Sequence, residues 1–361
     1  MRILIAVDAI TGGAGNVAQI LATYYAKRGE DVYLMFSKKK TFDSKYDLNK
    51  ITIIEAQQFF SNFSLLKTII HYNKLIKEIS PDIIISFLNT VSPPILLSQI
   101  MTSIPIIVSE RSDPYNNTPQ IKRKILRYIS YKRASLITVQ FDVFKKFNKN
   151  AYRKNKIVTI PNMILAPPNT KDYKIRSTKV SFVTFATLYH VKRLDLMIKL
   201  FSRIHKTCPN TELNIYGSGI DEEYLKALIK KLKLENVINL KGHVNNSHKY
   251  LSQNDIYLMT SVREGFPNAL SEAMATGLPS ISFKCHDGLS ELIQNGINGY
   301  LIEEGDSDKF CELSEQLVIN SSKRMKMGKA ASEKIKKYDY DKIMSIWDKY
   351  VYSLLSKTIE S

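Results

Sequence analysis

Two carboxylates separated by seven residues, Glu264 and Glu272, mark the segment with the strongest chemical pattern in this sequence. The segment Gly265-Phe266-Pro267-Asn268 predicts a turn between them, and a helix pattern begins at Ala269. The start of a helix presents unpaired backbone N–H groups and the positive end of its dipole, which together favour a bound phosphate. A carboxylate beside that anion can reach sugar hydroxyls, and a second one can reach a ribose. The pattern therefore predicts a nucleotide-sugar site.

The same segment resembles the E-x7-E signature of the retaining glycosyltransferases of family 4, which have the GT-B fold. The resemblance includes the apolar strand before Ser261, both glutamates and the closing Gly277-Leu278-Pro279. It implies that Glu264, with the backbone amides of residues 265–268, orients the donor sugar, and that Glu272 holds the ribose hydroxyls. The alternative interpretation is a capped amphipathic helix whose glutamates are solvated.

A second segment, residues 185–195, resembles the phosphate motif that follows a strand in the same family. Lys192 and Asp195 occupy the positions of the family's lysine and aspartate, whereas Thr187 stands where arginine is usual. The resemblance implies that Lys192, with Arg193 beside it, stabilises the charge that develops on the departing diphosphate. The alternative is a solvated, basic helix start.

Three glycine-containing loops complete the predicted donor site. As the resemblance implies, the loop with Gly217 and Gly219 lies on the nucleotide side, the loop Gly242-His243 lies near the base, and Gly13 in the first glycine loop faces the donor phosphates. For the first glycine loop the alternative is a tight turn without a ligand.

The first glycine loop also matches a dinucleotide fingerprint, because Gly13-x-Gly15-x-x-Ala18 follows a predicted strand and opens a helix. The second strand, however, ends in Ser37-Lys38 and offers no acidic residue for a ribose. NAD binding is therefore disfavoured, and NADP binding is left open.

Charged residues at the end of a strand in the first half are candidates for binding the acceptor. Glu110 and Arg111 follow the apolar segment 104–108, and ligands of α/β domains gather at the carboxyl ends of strands. Many members of the family have histidine in this region, so the assignment of these two residues to an acceptor rests on position alone.

Composition sets the outer limits. A chain of 361 residues, 44% of them hydrophobic, can build two domains of ordinary size. The longest apolar runs have the length of strands, which excludes a membrane-spanning helix, and no secretory signal is recognised at the N-terminus. The scattered cysteines Cys208, Cys285 and Cys311 are typical of reduced thiols rather than of disulfides or a zinc site. We expect a cytoplasmic protein.

The net charge of +18 is unevenly distributed. Residues 121–156 contain twelve lysines and arginines and one acid, Asp142. Such a stretch suits nucleic acid, an anionic membrane surface or a lipid-linked phosphate, or it is a solvated basic face. The apolar residues Ile121, Ile125, Leu126 and Ile129 recur at helical spacing, and they can enter a membrane interface or pack in the core. We favour the membrane, with the protein peripheral on its inner face, and expect no nucleic acid partner.

Strand patterns, such as residues 83–87 and 136–139, alternate with helix patterns, such as residues 16–28 and 290–294. This alternation predicts two parallel α/β domains. The expected boundaries are 1–162 for an N-terminal, acceptor-side Rossmann-like domain, 163–178 for a linker, and 179–340 for a nucleotide-sugar-binding domain. The resemblance to the GT-B fold implies that the domains face a cleft and that residues 341–361 form a helix returning to the first domain.

Asp306-Ser307-Asp308 is a D-x-D sequence, a motif that carries the metal in the other large glycosyltransferase fold. In this chain it precedes a predicted helix, where an N-cap residue is expected. We therefore predict no metal and no cofactor. The whole pattern predicts a retaining hexosyltransferase that moves a sugar, with a UDP-sugar as the expected donor, to a glycan or an undecaprenyl-diphosphate-linked acceptor in bacterial surface polysaccharide synthesis. The alternatives are a nucleotide-sugar epimerase of the same fold and a non-catalytic, phosphate-binding module.

Overall fold

The first sheet contains an interior strand that is apolar over residues 3–7. The computed structural model describes residues 1–10, 12–38, 46–56, 65–113, 121–146, 156–165, 167, 170–172 and 179–359. Residues 3–7 of this strand are buried on both faces, as is typical of parallel sheets covered by helices. All seven strands are parallel, in the order β3-β2-β1-β4-β5-β6-β7. Their bounds are β1 Arg2–Ala9, β2 Asp31–Lys38, β3 Ile51–Glu55, β4 Ile83–Phe87, β5 Ile106–Ser109, β6 Leu136–Val139 and β7 Ile157–Thr159.

Helices cover both faces of this sheet. Right-handed crossovers place the helix after β1 on one face and the helices after β3, β4 and β5 on the other, because the strand order reverses at β1. The helices are α1 Gly12–Lys27, α2 Leu65–Ile79, α3 Leu88–Ser98 and α4 Ile121–Ser130.

The second sheet has six parallel strands in the order β10-β9-β8-β11-β12-β13. Aromatic pairs such as Phe182–Phe201 and Phe283–Phe310 pack helices against it. The strands are β8 Val180–Phe185, β9 Thr211–Tyr216, β10 Ile238–Leu240, β11 Ile256–Met259, β12 Ser280–Phe283 and β13 Gly299–Ile302. The helices are α5 Leu194–Thr207, α6 Glu222–Lys231, α7 Ser247–Leu251, α8 Asn268–Thr276, α9 Ser307–Ile319 and α10 Ser321–Ile335.

The last helix, α11 Tyr340–Ile359, packs with the first sheet. The hydroxyl of Tyr24 on α1 donates to Asp348 at 2.6 Å, and the indole of Trp347 is completely buried. The chain thus forms two compact units, residues 1–163 with 341–361, and residues 164–340. Described residues of the predicted linker are bonded within the second unit, since Ile164 pairs with Asp339. Residues 173–178 of that linker lie outside the described residues.

Most predicted strands agree with the structure within two residues, but three elements differ. Strand β3 is not predicted from the sequence: it is a short strand at the sheet edge, and three of its five residues, Thr52, Ile53 and Glu55, are exposed. The helix predicted at 290–294 is wrong, since only a short 3-10 turn, Asp287–Glu291, forms there. Helix α1 begins at Gly12 rather than at Asn16, so the first glycine loop is largely helical.

Candidate active site

The loops that follow β8 and β11 are tied together at the carboxyl edge of the second sheet. The two strands are neighbours, so their loops leave the sheet side by side. The hydroxyl of Thr260 donates to the carbonyl oxygens of Lys192 and Arg193, at 2.9 and 3.0 Å. The amide of Val262 donates to the carbonyl of Val191 at 3.0 Å. These backbone contacts fix the position of Lys192 relative to the loop that carries Glu264.

The predicted catalytic pair is in direct contact. Lys192 Nζ lies 2.7 Å from Glu264 Oε1, and the side chains are 21% and 13% exposed. Because the pair is mostly shielded from water, its attraction is stronger than that of a surface pair, yet a ligand can still approach. The ammonium can bind a phosphate, and the carboxylate can accept hydroxyl groups. A phosphorylated sugar carries both complementary groups.

Cys285 lies beside this pair. Burial raises the pKa of its thiol to about 12, and the negative charge of Glu264 contributes in the same direction. The thiol is therefore protonated at neutral pH and is a poor nucleophile. Its place in the site had no sequence signal, since the three cysteines are isolated.

The turn before α8 is anchored by an aromatic contact. Phe266 is buried and packs edge-on against Tyr338, with ring centroids 5.4 Å apart. The N-cap position is Pro267, whose side chain has no acceptor, and α8 begins at Asn268. Because no side chain caps α8 at this position, the first-turn amides are left to other partners. Gly265 and Asn268 are partly exposed beside the turn.

Glu272, on the same helix, is held by a residue that the sequence did not single out. The hydroxyl of Ser247, the first residue of α7, donates to Glu272 Oε2 at 2.6 Å. Beneath them lies the buried Tyr257, whose pKa is raised first by burial and then by the negative charges of Glu264 and Glu272. Both glutamates are thus within electrostatic range of one tyrosine. In the sequence, Asn246 before it is a residue type that favours the N-cap of a helix, but this indicates only where α7 begins and not a contact with Glu272.

The second and third glycine loops lie against each other. Gly217 has φ +140°, and a Cβ there would come within 1.8 Å of the carbonyl oxygen of Ala186. Its amide donates to the carbonyl of Gly242 at 2.8 Å, and His243 next to it is exposed. A Cβ on Gly219 would also meet backbone. Only glycine permits this close approach of loops at the carboxyl edge of the sheet.

Arg193 points to a different partner than Lys192. Its backbone has φ +49°, a left-handed conformation that costs about 1–2 kcal/mol in a non-glycine residue. Its guanidinium lies 2.9 Å from Glu304, in the loop after β13. Arg193 therefore does not join the contact between Lys192 and Glu264 in this arrangement.

Gly13 and Glu110 belong to the first unit. Gly13 lies in the first turn of α1, at the carboxyl end of β1. Glu110 is buried and accepts a hydrogen bond from Tyr131 at 2.5 Å. Burial raises the pKa of Glu110, while the positive charge of Arg127 and the hydrogen bond from Tyr131 oppose the rise.

Arg111 is also buried, and burial lowers its pKa to about 9. Its guanidinium donates to Ser109 at 2.8 Å and to Asn162 at 2.7 Å, and it lies over the ring of Trp347. Glu110 and Arg111 are thus committed to contacts inside the first unit and present little surface to an acceptor.

The predicted cap at the D-x-D sequence is confirmed. The carboxylate of Asp306 accepts from the amide of Lys309 at 3.0 Å, and Asp308 pairs with Arg203 at 2.6 Å. Across the described ranges, no three His, Cys, Asp or Glu side chains gather as a metal site would require. That the protein acts without a metal stays a prediction. Nor does any helix in those ranges have the length and apolarity that a membrane crossing requires.

Two family profiles match the chain. The profile described as glycosyl transferases group 1 matches residues 167–334, and that described as glycosyl transferase 4-like matches residues 13–140. An uncharacterized glycosyltransferase of Methanocaldococcus jannaschii is 30% identical over 296 residues, covering 72% of this chain and 73% of that protein. An uncharacterized glycosyltransferase of Haemophilus influenzae is 26% identical over 343 residues, covering 93% of this chain and 95% of that protein.

Among solved structures, the HepE protein of Anabaena in complex with UDP-glucose has a TM-score of 0.84 and 18% sequence identity. The similarity covers 98% of this chain and 100% of that one. At this identity the likeness concerns the fold, and it confirms the predicted GT-B class with its two parallel-sheet α/β units.

Proposed function

Since this chain belongs to the glycosyl transferases group 1 family, we propose that it transfers a hexose from a UDP-sugar to a glycan acceptor with retention of configuration. The observation that carries the proposal is the 2.7 Å contact between Lys192 and Glu264 at the carboxyl edge of the second sheet. The UDP-glucose bound to the Anabaena protein of the same fold supports a uridine donor.

In the proposed site, each residue has one task. Lys192 contacts the diphosphate and stabilises the charge that develops as the bond between the sugar and the phosphate breaks. Glu264, with the backbone amides of 265–268, accepts and orients the sugar hydroxyls. Glu272, held by Ser247, accepts the ribose hydroxyls. The glycine loops, with Gly217, form the nucleotide side of the proposed site, where the absence of a side chain lets the backbones of neighbouring loops pack closely.

Retention requires that the acceptor oxygen bond to the anomeric carbon on the face that the phosphate leaves. We propose that the departing phosphate oxygen takes the acceptor proton, so that no enzyme nucleophile is involved. Cys285, whose thiol lies beside Lys192 and Glu264, supports this, because a protonated thiol is a poor nucleophile at neutral pH. The proposed site contains no metal.

The test is a screen of UDP- and GDP-sugars with the full chain, with and without EDTA, in which nucleotide release and the anomeric configuration of the product are measured. Release of UDP from one UDP-sugar, with a retained anomeric configuration and undiminished by EDTA, is the expected outcome. An inverted product, or an absolute requirement for Mn²⁺ or Mg²⁺, would contradict the mechanism.

Replacing Glu272 with alanine should weaken UDP binding by roughly 10- to 150-fold, because hydrogen bonds to a charged group contribute about 1.5–3 kcal/mol. Calorimetry with free UDP measures the loss. The exposed Glu235 provides a matched glutamate-to-alanine control. Ser247→Ala should have a smaller effect, since it leaves the carboxylate in place and removes only the hydroxyl that holds it. Unchanged affinity of a folded Glu272→Ala protein would remove the ribose assignment.

The acceptor is proposed to be lipid-linked, and helix α4 supports this. Ile121, Ile125 and Ile129 lie on one face of the helix and are 73%, 54% and 54% exposed. The sequence left open whether these side chains pack in the core, and their exposure excludes it. The exposed cations Lys122 and Lys124 flank that face, and the exposed Arg123 lies on the other side of the helix. An apolar stripe beside cations suits the interface of an anionic membrane, which agrees with a peripheral protein on the inner face of the cell membrane.

Liposome sedimentation tests this contact. Binding should require anionic lipid, weaken with salt, and fall when residues 122–124 are changed to serine, because each cation near the surface contributes about 1 kcal/mol. Changing the exposed lysines Lys326, Lys329 and Lys336 of the second unit to serine removes the same charge elsewhere. Equal loss in this control, or equal binding to neutral liposomes, would refute a specific role of α4.

A further inference from the structure

A pocket that none of the proposed donor contacts uses lies beside the Lys192 loop. It has a volume of about 260 Å³ and opens at the start of α5 and α6. Two leucines form its floor, and aromatic and charged side chains form its walls. The lining residues are Tyr189, His190, Leu194, Asp195, Asp221, Tyr224 and Leu225. We call it the tyrosine–aspartate pocket.

The walls of this pocket are preformed. The amide of Leu188 donates to the carbonyl of Ser218, and the amide of Asp221 donates to the carbonyl of Leu188, both at 3.0 Å. Gly219 allows this approach, because a Cβ there would lie 2.3 Å from the carbonyl oxygen of Leu188. The loops after β8 and β9 are thus fastened to each other, and a ligand would not have to order them.

The polar groups of the pocket are largely unused by the fold. Asp221 occupies the N-cap position of α6, yet its side chain makes no capping hydrogen bond. Tyr189 and Tyr224 are 38% and 56% exposed, and their hydroxyls form no hydrogen bond within the described part of the chain. Asp195 forms an ion pair with Lys199, whose Nζ lies 3.3 Å from Asp195 Oδ2. A carboxylate that does not cap its helix is available to a ligand.

The charge of the pocket selects the class of ligand. Two carboxylates repel phosphate, so the pocket is unsuited to the diphosphate of the donor although it lies near Lys192. Tyrosine rings offer flat apolar surfaces with a polar edge, and carboxylates accept hydrogen bonds from neighbouring hydroxyls. A neutral pyranose ring has an apolar face and a rim of hydroxyls, and it satisfies both.

We propose that the tyrosine–aspartate pocket binds a neutral pyranose residue of the glycan acceptor. The assignment of this pyranose to the acceptor rests on the proposed function, whereas pyranose binding itself does not. The amide of Lys192 donates to the carbonyl of Tyr189 at 2.8 Å, so an occupied pocket would lie one short turn away from the proposed leaving-group site.

Saturation-transfer NMR on the full chain tests the proposal. The probes are the methyl pyranosides of glucose, galactose, mannose and N-acetylglucosamine, with tetramethylammonium as a cationic probe. At least one pyranoside should bind, and Tyr224→Ala and Asp221→Asn should each weaken it by about tenfold or more, as expected for a lost aromatic face or a lost charged acceptor. Tyr352→Ala, at an exposed tyrosine of the first unit, should leave binding unchanged.

Competition separates this pocket from the donor site. Neither UDP nor UDP-glucose should displace the pyranoside, and Glu272→Ala should not affect it. Displacement by UDP-glucose would assign the pocket to the donor sugar, and binding of tetramethylammonium alone would assign it to a cation, so either result overturns the proposal. Absence of pyranoside binding, or binding that both variants retain, overturns it as well. A failure of the donor assignment would appear instead in UDP binding, with pyranoside binding intact.

Discussion

Lys192→Ala is expected to lower kcat by roughly 100-fold or more, the effect of removing a donor aimed at charge that develops in the transition state. The ammonium contacts Glu264 at 2.7 Å in the resting protein and is proposed to exchange this partner for the leaving diphosphate. The variant also leaves a largely shielded carboxylate unpaired, so its fold has to be verified by circular dichroism. Steady-state kinetics with saturating UDP-sugar measure the change.

Lys309→Ala is the matched control for this experiment. Lys309 forms an ion pair with Glu312 at 2.8 Å on α9 and is about half exposed, so its loss removes the same charge and a comparable contact without touching the proposed site. Its kcat should remain near that of the unaltered protein. Near-normal turnover of Lys192→Ala would show that Arg193, or no side chain at all, stabilises the diphosphate.

Trp347→Ala should lower the free energy of unfolding of the first unit by about 3–5 kcal/mol, the usual cost of truncating a large buried aromatic residue. The indole is completely buried on α11, and the guanidinium of Arg111 lies 5.5 Å from its ring centroid. The truncation would also remove the ring that faces this buried cation. Urea unfolding followed by circular dichroism measures the change.

Trp347→Phe is the conservative variant at this position. Among the described residues, the buried indole N–H has no hydrogen-bond partner, so phenylalanine retains an aromatic ring and loses an unpaired donor together with part of the ring volume. We expect a smaller loss of stability than for alanine. If the alanine variant lost less than about 1 kcal/mol, the helix would not be a structural part of the first unit. Both units should be followed separately, because two-domain chains need not unfold in one step.

The sequence allowed most of the fold to be predicted because its strands are fully buried. Runs such as residues 83–87 and 136–139 are buried throughout and apolar except for Ser86 and Thr138, and their bounds agree with the structure. Strand β3 is a short edge strand in which only Ile51 is buried, so it lacks the long buried run that marks the other strands. The predicted helix at 290–294 is wrong because its apolar residues, Leu292 and Ile293, are buried directly after a short 3-10 turn rather than in a helix.

The site was predictable only where residue type and spacing carry the chemistry. Glu264, Glu272 and Lys192 stood in such patterns, and the structure brings Lys192 and Glu264 together. Ser247 and Cys285 reach the site through the packing of α7 and the end of β12, which no local pattern encodes. Helical periodicity identified the apolar stripe of α4, but periodicity is the same for a core-facing and a solvent-facing stripe.

The first unit is discontinuous along the chain, and this affects how the protein is made. Its seven-stranded sheet is complete once residue 159 has been synthesised, but the helix that buries Trp347 emerges only after the whole second unit. At about 5–20 residues per second, a ribosome takes roughly ten seconds or more to cover that interval. During this time the surface that α11 covers is open to water and to other nascent chains. The second unit, being continuous, can fold in that interval, and chaperone demand should therefore fall on the amino-terminal half.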